Sequence, residues 1–107
     1  MIRCTSHLQF IRGLECAIKG LSGHVCGGGI EAAHVRTETD GGMGMKPSDS
    51  FTIPLCRYAH SEQHRMGEPA FEKEYGIQML PMAVRLWEIS KAGIKYRRAE
   101  ISPERTE

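Results

Sequence analysis

Residues 50–64 read SFTIPLCRYAHSEQH, and they predict a strand that passes directly into a helix carrying two histidines. The first part is rich in β-favouring residues, and Pro54 is expected to end its pairing with a neighbouring strand. His60 and His64 are four residues apart, so a helix places both imidazoles on one face, close enough to share one cation. This segment therefore combines a strand end with metal-ligand spacing.

An earlier segment, IEAAHV at residues 30–35, is expected to pair with residues 50–54 as the first arm of a hairpin. The loop between the two arms is long and glycine-rich, and it closes with Lys46-Pro47-Ser48-Asp49. Loops of this length are usually either functional or disordered, and the stiff return through proline favours function. Helix is then expected up to Gly67 and again from Pro69 to Tyr75.

Helices are also predicted at both ends of the chain. Ser6 and Gln9 form a capping-box pattern, and apolar residues at helical spacing predict a helix from about His7 to Leu14. A C-terminal helix is expected to begin at Pro81 and to carry an apolar stripe up to Gly93. Such a stripe is usually core or a subunit interface, so a homodimer through this helix is one expectation.

Composition indicates one small domain. The chain has 107 residues and a formal net charge of +1. A chain of this length forms only a modest hydrophobic core, so a structural metal or a partner subunit is expected to add stability. The N-terminus has no apolar leader, and no window approaches the roughly 18 apolar residues of a membrane span. The sequence therefore predicts a cytoplasmic protein with no membrane contact.

In a reducing compartment its four cysteines are expected to be metal ligands or buried thiols rather than disulfides.

Basic residues crowd the last quarter of the chain. They form either a solvated helix face or a phosphate-binding surface, and the sequence leaves both open. The residues are Arg85, Lys91, Lys95, Arg97, Arg98 and Arg105.

Three histidines stand out from the five because they come as a set. His34 ends the first arm of the hairpin, and His60 and His64 follow the second. A neutral imidazole is a good ligand for zinc, nickel or manganese, and one held at a strand end can act as a general base towards water. His7 and His24 are first interpreted as ordinary surface or core residues.

The combined order of motifs resembles the HNH endonucleases with the ββα-metal, or His-Me finger, fold. The likeness rests on an Ala-His on the first strand, the loop closing with Lys46 to Asp49, and Pro54-Leu55-Cys56 before the two later histidines. Within that family the chain is most similar to the small phage- and prophage-borne group related to the recombination-associated nuclease Ref. The likeness covers about residues 8–77. It implies an α+β domain spanning residues 1–107, with an N-terminal helix, a cysteine- and glycine-rich knuckle, a ββα-metal core, and a C-terminal helix and basic tail over residues 81–107.

The resemblance also implies roles. His34 would be the general base, and His60 and His64 would hold one divalent cation, either magnesium, manganese, nickel or zinc. Asp49 stands where the family usually carries asparagine, and it is expected to position the base rather than to bind the cation. Lys46 could contact a DNA phosphate, although an exposed loop lysine is equally expected.

One departure concerns the residue before the base. Many HNH nucleases carry a metal ligand there, whereas this chain has Ala33. Either His34 is itself a ligand, or His60 and His64 hold the cation with water and substrate phosphate completing its shell.

A second departure concerns a structural zinc. Relatives often carry two Cys-x-x-Cys knuckles, but here Lys19 and Ala59 occupy the second positions. The resemblance would still bring three thiols together, and His24 is the nearest candidate for the fourth ligand of a tetrahedral zinc. The tentative ligand set is Cys16, His24, Cys26 and Cys56. Three buried thiols without metal are the alternative, and Cys4 lies outside the pattern.

The resemblance thus implies a metal-dependent endonuclease that hydrolyses DNA with weak sequence preference, with a phage or host recombination protein as its partner. A non-catalytic, zinc-stabilised nucleic-acid-binding module on the same scaffold is the alternative, and Ala33 favours it. A structural subunit of a recombination complex is a third interpretation, supported only by small size and the apolar last helix.

Overall fold

The computed structural model describes residues 1–42 and 44–101, and that part of the chain contains two strands and five helices. The α+β class predicted from the sequence is confirmed, as is the passage from the second strand into two consecutive helices. The order is α1 (Thr5–Arg12), β1 (Ile30–His34), β2 (Thr52–Cys56), α2 (Arg57–Met66), α3 (Glu68–Tyr75), α4 (Met79–Ile89) and α5 (Lys91–Ile101), with a 3₁₀ turn at Leu21–Gly23.

The two strands form an antiparallel sheet whose register starts with Ile30 opposite Cys56. The prediction that Pro54 ends the pairing is wrong, because Pro54 lies opposite Ala32 in the middle of the ladder. Its carbonyl accepts a hydrogen bond from the Ala17 N–H at 2.8 Å, so it points away from β1. The N–H of a strand residue points the same way as its carbonyl, and the missing proline N–H therefore costs the ladder nothing.

The core lies where α1, the turn before β1, the sheet and α3 meet. Its fully buried large side chains include Ile11, Ile18, Ile53, Leu55 and Phe71. Each such burial stabilises the fold by about 1.5–3 kcal/mol, and a chain of this length has few of them, so a bound metal would matter to its stability. In the described part of the chain no helix combines the length and apolarity that crossing a membrane requires.

The first helix begins earlier than predicted. It runs over Thr5–Arg12 and its N-cap residue is Cys4, so the capping box predicted at Ser6 and Gln9 is wrong. The Cys4 N–H instead donates to Asp49 Oδ2 at 2.8 Å. That bond ties the start of α1 to the loop that precedes β2.

The prediction of one C-terminal helix is also wrong. Two helices, α4 and α5, meet at Ser90, and Gly93 lies inside the second helix rather than at the end of the first. Ser90 has an extended backbone, and its Oγ accepts a hydrogen bond from the Gly93 N–H at 3.0 Å. The buried His7 of α1 places Nδ1 3.0 Å from the same oxygen, so α1 fixes the corner. Arg105 and the rest of the predicted basic tail from residue 102 lie outside the described residues.

Gly93→Ala is expected to destabilise the protein by about 1–3 kcal/mol, the usual cost of overpacking. A Cβ at this position would lie 1.8 Å from the Trp87 carbonyl oxygen. Gly29→Ala is the matched control, because a Cβ there meets open space. Urea denaturation measures both variants, and equal midpoints for Gly93→Ala, Gly29→Ala and the parent would contradict the packing of this corner.

Candidate functional site

Three cysteines and one histidine come together beside the start of α2, and they are called the cysteine cluster. Its members are Cys16, His24, Cys26 and Cys56, and their ligand atoms all lie within 4.8 Å of one another. The prediction that these four residues meet is confirmed. Three thiols and one imidazole form a donor set that could bind a tetrahedral metal such as zinc.

The cluster is assembled by the turn after α1 and by the end of β2. Cys16 and Cys56 are buried, His24 is 9% exposed, and Cys26 is exposed. His24 turns Nε2 towards the sulfurs, 3.5 Å from Cys56 Sγ and 3.9 Å from Cys16 Sγ. Lys19 and Ala59 stand where relatives carry the second cysteine of each Cys-x-x-Cys knuckle. The chain after the 3₁₀ turn at Leu21–Gly23 supplies His24 and Cys26 in their stead.

Backbone N–H groups point at the buried sulfurs. Cys56 Sγ accepts from Gly27 and Ala59, each at 3.4 Å, and Cys16 Sγ accepts from the Cys56 N–H at 3.4 Å. Desolvation alone would raise the pKa of Cys56, but the Ala59 and Gly27 N–H groups outweigh it and hold that pKa below its ordinary value. Desolvation and then the neighbouring Cys16 and Cys56 thiols raise the pKa of Cys26 to about 11. Cys56 is therefore the thiol that ionises most readily. Ionising Cys26 as well requires a cation beside the cluster.

A second group of residues lines an open cavity between α2 and the loop before β2, here called the histidine cleft. Its volume is about 490 Å³, and its lining residues include His34, Arg36, Lys46, His60 and His64. All three histidines that the sequence singled out therefore reach one cavity, together with two basic side chains.

The helix α2 holds His60 and His64 one turn apart, as their spacing predicts. Their Nε2 atoms are 3.3 Å apart. Two nitrogens bound to one zinc at about 2.0–2.1 Å and a tetrahedral angle would be separated by roughly this distance. Within the described residues, the cysteine cluster is the only group of three or more His, Cys, Asp or Glu side chains compact enough to hold an ion. The histidine pair thus offers two ligand atoms to an ion, and His34 does not join it.

His34 contacts Asp49 instead. Its Nε2 lies 2.9 Å from Asp49 Oδ1, while Asp49 Oδ2 accepts from the Cys4 N–H and the carboxylate is 3.5 Å from Arg3. Asp49 is 3% exposed, and both of its oxygens are occupied. It lies where a positioning residue would lie, against His34 rather than beside the histidine pair.

Burial sets the protonation of this pair. Desolvation lowers the pKa of His34, while the hydrogen bond and charge of Asp49 act in the opposite direction. Desolvation alone would raise the pKa of Asp49, but the hydrogen bonds from His34 and the Cys4 N–H hold it below its ordinary value. At neutral pH His34 is therefore a neutral imidazole beside a carboxylate, the state that a general base needs.

The N-terminal residues pin the loop that closes the cleft. Arg3 donates to the Lys46 carbonyl at 2.8 Å and to the Pro47 carbonyl, and the Ile2 N–H donates to Ser48 Oγ at 2.8 Å. Asp40 accepts from both the N–H and the hydroxyl of Ser48. These bonds hold Lys46 at the rim of the cavity.

Several residues that line the cleft or contact its histidines were missed by the sequence analysis. Glu31 contacts His60 through Nδ1 at 2.8 Å, and Arg36 donates to the Met45 carbonyl at 2.9 Å. Glu68 accepts from the N–H groups of Arg36 and Thr37 and so ties α3 to the end of β1. None lies in a local motif, because each contact joins segments more than eight residues apart.

Residues 1–92 match the family described as protein of unknown function, DUF968. The chain is also similar to the uncharacterized protein YdfU of Escherichia coli strain K12, with 46% identity over 73 residues. That match covers 68% of this chain and 19% of the relative's length. No solved structure matches the chain significantly.

Protein purified without added metal is expected to contain about one zinc per chain, held by the cysteine cluster. Cys56→Ser should lower both the zinc content and the midpoint of thermal unfolding, because the binding free energy of such sites is folding free energy. Cys4→Ser is the matched control, since Cys4 lies outside the cluster. Metal analysis measures the zinc content, and melting curves measure the stability. A Cys56→Ser protein that has lost its zinc and still melts at the parent's temperature would contradict a structural zinc.

Asp49→Asn is expected to lower the pKa of His34 further, because the carboxylate is the group that favours the imidazolium. An NMR titration of the His34 ring measures this change directly. Glu15→Gln, which alters an exposed carboxylate paired with Lys19, should leave the titration unchanged. A His34 pKa that stays the same or rises in Asp49→Asn would contradict the pairing.

Proposed function

The chain belongs to the family described as protein of unknown function, DUF968, and we propose that it is a metal-dependent endonuclease that hydrolyses DNA phosphodiester bonds on an HNH-type, ββα-metal core. The proposal rests on the histidine cleft. A base oriented by a carboxylate and a pair of converging imidazoles line one cavity, and the strand–strand–helix unit carries all three histidines. An inert scaffold has no chemical need for that combination.

The protein's own groups divide the work between the two sides of the cleft. His34 takes a proton from the attacking water through Nδ1, because its Nε2 is bonded to Asp49. His60 and His64 would hold a divalent cation, since their Nε2 atoms face each other. When bound, that cation supplies Lewis-acid stabilisation of the phosphate and of the leaving oxygen.

Basic side chains in the cleft suit a phosphodiester substrate. Arg36 and Lys46 both line the cavity, and Arg36 is held in place by the Met45 carbonyl. Contacts of this kind position the nucleic-acid backbone and carry no sequence information, so weak sequence preference follows.

Two protein ligands would leave most of the cation's shell to water and substrate phosphate, as in Mg²⁺ sites that use only one or two protein side chains. Ala33, where many HNH nucleases carry a further ligand, is fully buried in the core. This arrangement favours the interpretation in which His34 is a base and not a ligand.

Ala33 also supports a second candidate, a non-catalytic nucleic-acid-binding module stabilised by the cysteine cluster. Such a module would bind DNA without cleaving it. The two candidates differ in one measurable property, since only the first turns over substrate in the presence of Mg²⁺, Mn²⁺ or Ni²⁺.

The division of labour is tested with His34→Ala and His64→Ala. His34→Ala should lower single-turnover plasmid cleavage by about 10²–10⁴, the usual worth of a general base, with Mn²⁺ affinity nearly unchanged. His64→Ala should lower both cleavage and Mn²⁺ affinity, because it removes one of two ligands. Calorimetric titration with Mn²⁺ measures the affinities, and zinc content and circular dichroism serve as controls for folding.

Three results would contradict parts of this account. Cleavage by His34→Ala at the parent rate would remove the base assignment. Equal loss of Mn²⁺ affinity in both variants would make His34 a ligand. Parent protein that binds DNA but cleaves it with none of the three metals would favour the binding module.

A further inference from the structure

Glu31 is an acidic residue of β1 that faces α2 and joins two of its side chains. Its Oε1 lies 2.8 Å from His60 Nδ1, and its Oε2 lies 3.3 Å from Arg57 Nε. The pairing of β1 with β2 sets this position, since Glu31 lies opposite Leu55, just before α2 begins. The carboxylate therefore spans the first turn of the helix that carries the histidine pair.

The contact determines which nitrogen of His60 is free. A carboxylate oxygen accepts, so His60 Nδ1 must carry the proton that it donates. In a neutral imidazole the lone pair is then left on Nε2. That is the atom 3.3 Å from His64 Nε2. The tautomer and the ring orientation both suit a cation between the two histidines.

The two histidines are not held alike. Across the described residues, the hydrogen bonds made by the His64 ring involve only His60, whereas His60 is anchored to the sheet through Glu31. A carboxylate that orients a metal-binding histidine typically changes metal affinity by about 10–100-fold when it is removed.

We propose that Glu31 is a positioning residue, which fixes His60 in the tautomer and orientation that bind the catalytic cation. The inference rests on the proposed function, because it requires the cation site at His60 and His64. Glu31 contacts neither the substrate nor the cation and acts through His60. Arg57 holds the second carboxylate oxygen and keeps the first one aimed at the imidazole.

A plain surface ion pair would have different consequences. The Glu31 side chain is 39% exposed and that of Arg57 is 73% exposed. Exposed pairs contribute little to stability, so replacing Glu31 should leave the fold intact. A loss of cation affinity without loss of stability therefore separates positioning from a structural role.

The test compares Glu31→Gln and Glu31→Ala with Glu62→Gln in the zinc-loaded protein. Glu62 is the matched control, because it is a carboxylate of α2 that pairs with Arg65 and touches neither histidine. Calorimetric titration with Mn²⁺ should show affinity about tenfold weaker for Glu31→Gln and up to about 100-fold weaker for Glu31→Ala. Glu62→Gln should bind as the parent does, and all melting midpoints should coincide.

A second readout follows the tautomer itself. Long-range ¹H–¹⁵N spectra of zinc-loaded protein, recorded before Mn²⁺ is added, should show the His60 proton on Nδ1 in the parent and a mixture of tautomers in Glu31→Ala. Parent affinity for Mn²⁺ in both Glu31 variants would overturn the inference while leaving the cation site in place. Parent protein that binds no Mn²⁺ would overturn the cation site, and with it the proposed function.

Discussion

The buried thiol of Cys56 is the point on which the rest of the structure depends. Cys56 is the last residue of β2 and the N-cap of α2, and its sulfur accepts N–H groups from Gly27 and from the first turn of the helix. It also belongs to the cysteine cluster. A sulfur in this position fixes where the strand stops and the helix starts, and so it fixes the direction in which His60 and His64 point.

The other side of the cleft is organised by a buried carboxylate. Asp49 takes hydrogen bonds from the start of α1 and from His34, and desolvation keeps His34 neutral despite that contact. A carboxylate at this depth is stable only because its partners replace its hydration. His34, the proposed base, and the proposed cation ligands His60 and His64 therefore stand on different elements, and they line one cleft only when the loop, α1 and α2 are all in place.

Local patterns were enough to predict part of this structure. The spacing of His60 and His64 predicts their shared face of the helix, and β-favouring residues predict both strands. The composition of the cysteine cluster was implied by the family resemblance, with His24 chosen because it lies two residues from Cys26. The helix and strand signals lie within a few neighbouring residues, which is why the sequence carries them, whereas the cluster depended on the resemblance to a known arrangement.

Other features depend on contacts between distant segments. Pro54 can pair in mid-strand because its carbonyl points away from β1, where it accepts a hydrogen bond from the Ala17 N–H. The apolar stripe after Pro81 breaks at Ser90, where His7 of the first helix meets the hydroxyl. Glu31 reaches His60 only through the register of the hairpin.

The most direct test of the proposed function is plasmid cleavage by EDTA-treated protein before and after Mn²⁺ is restored, with zinc measured in the same samples. Cleavage should be lost and then regained while about one zinc per chain remains in place. Folded, zinc-loaded protein that cleaves DNA with no divalent cation restored would contradict the proposed role of a cation at His60 and His64.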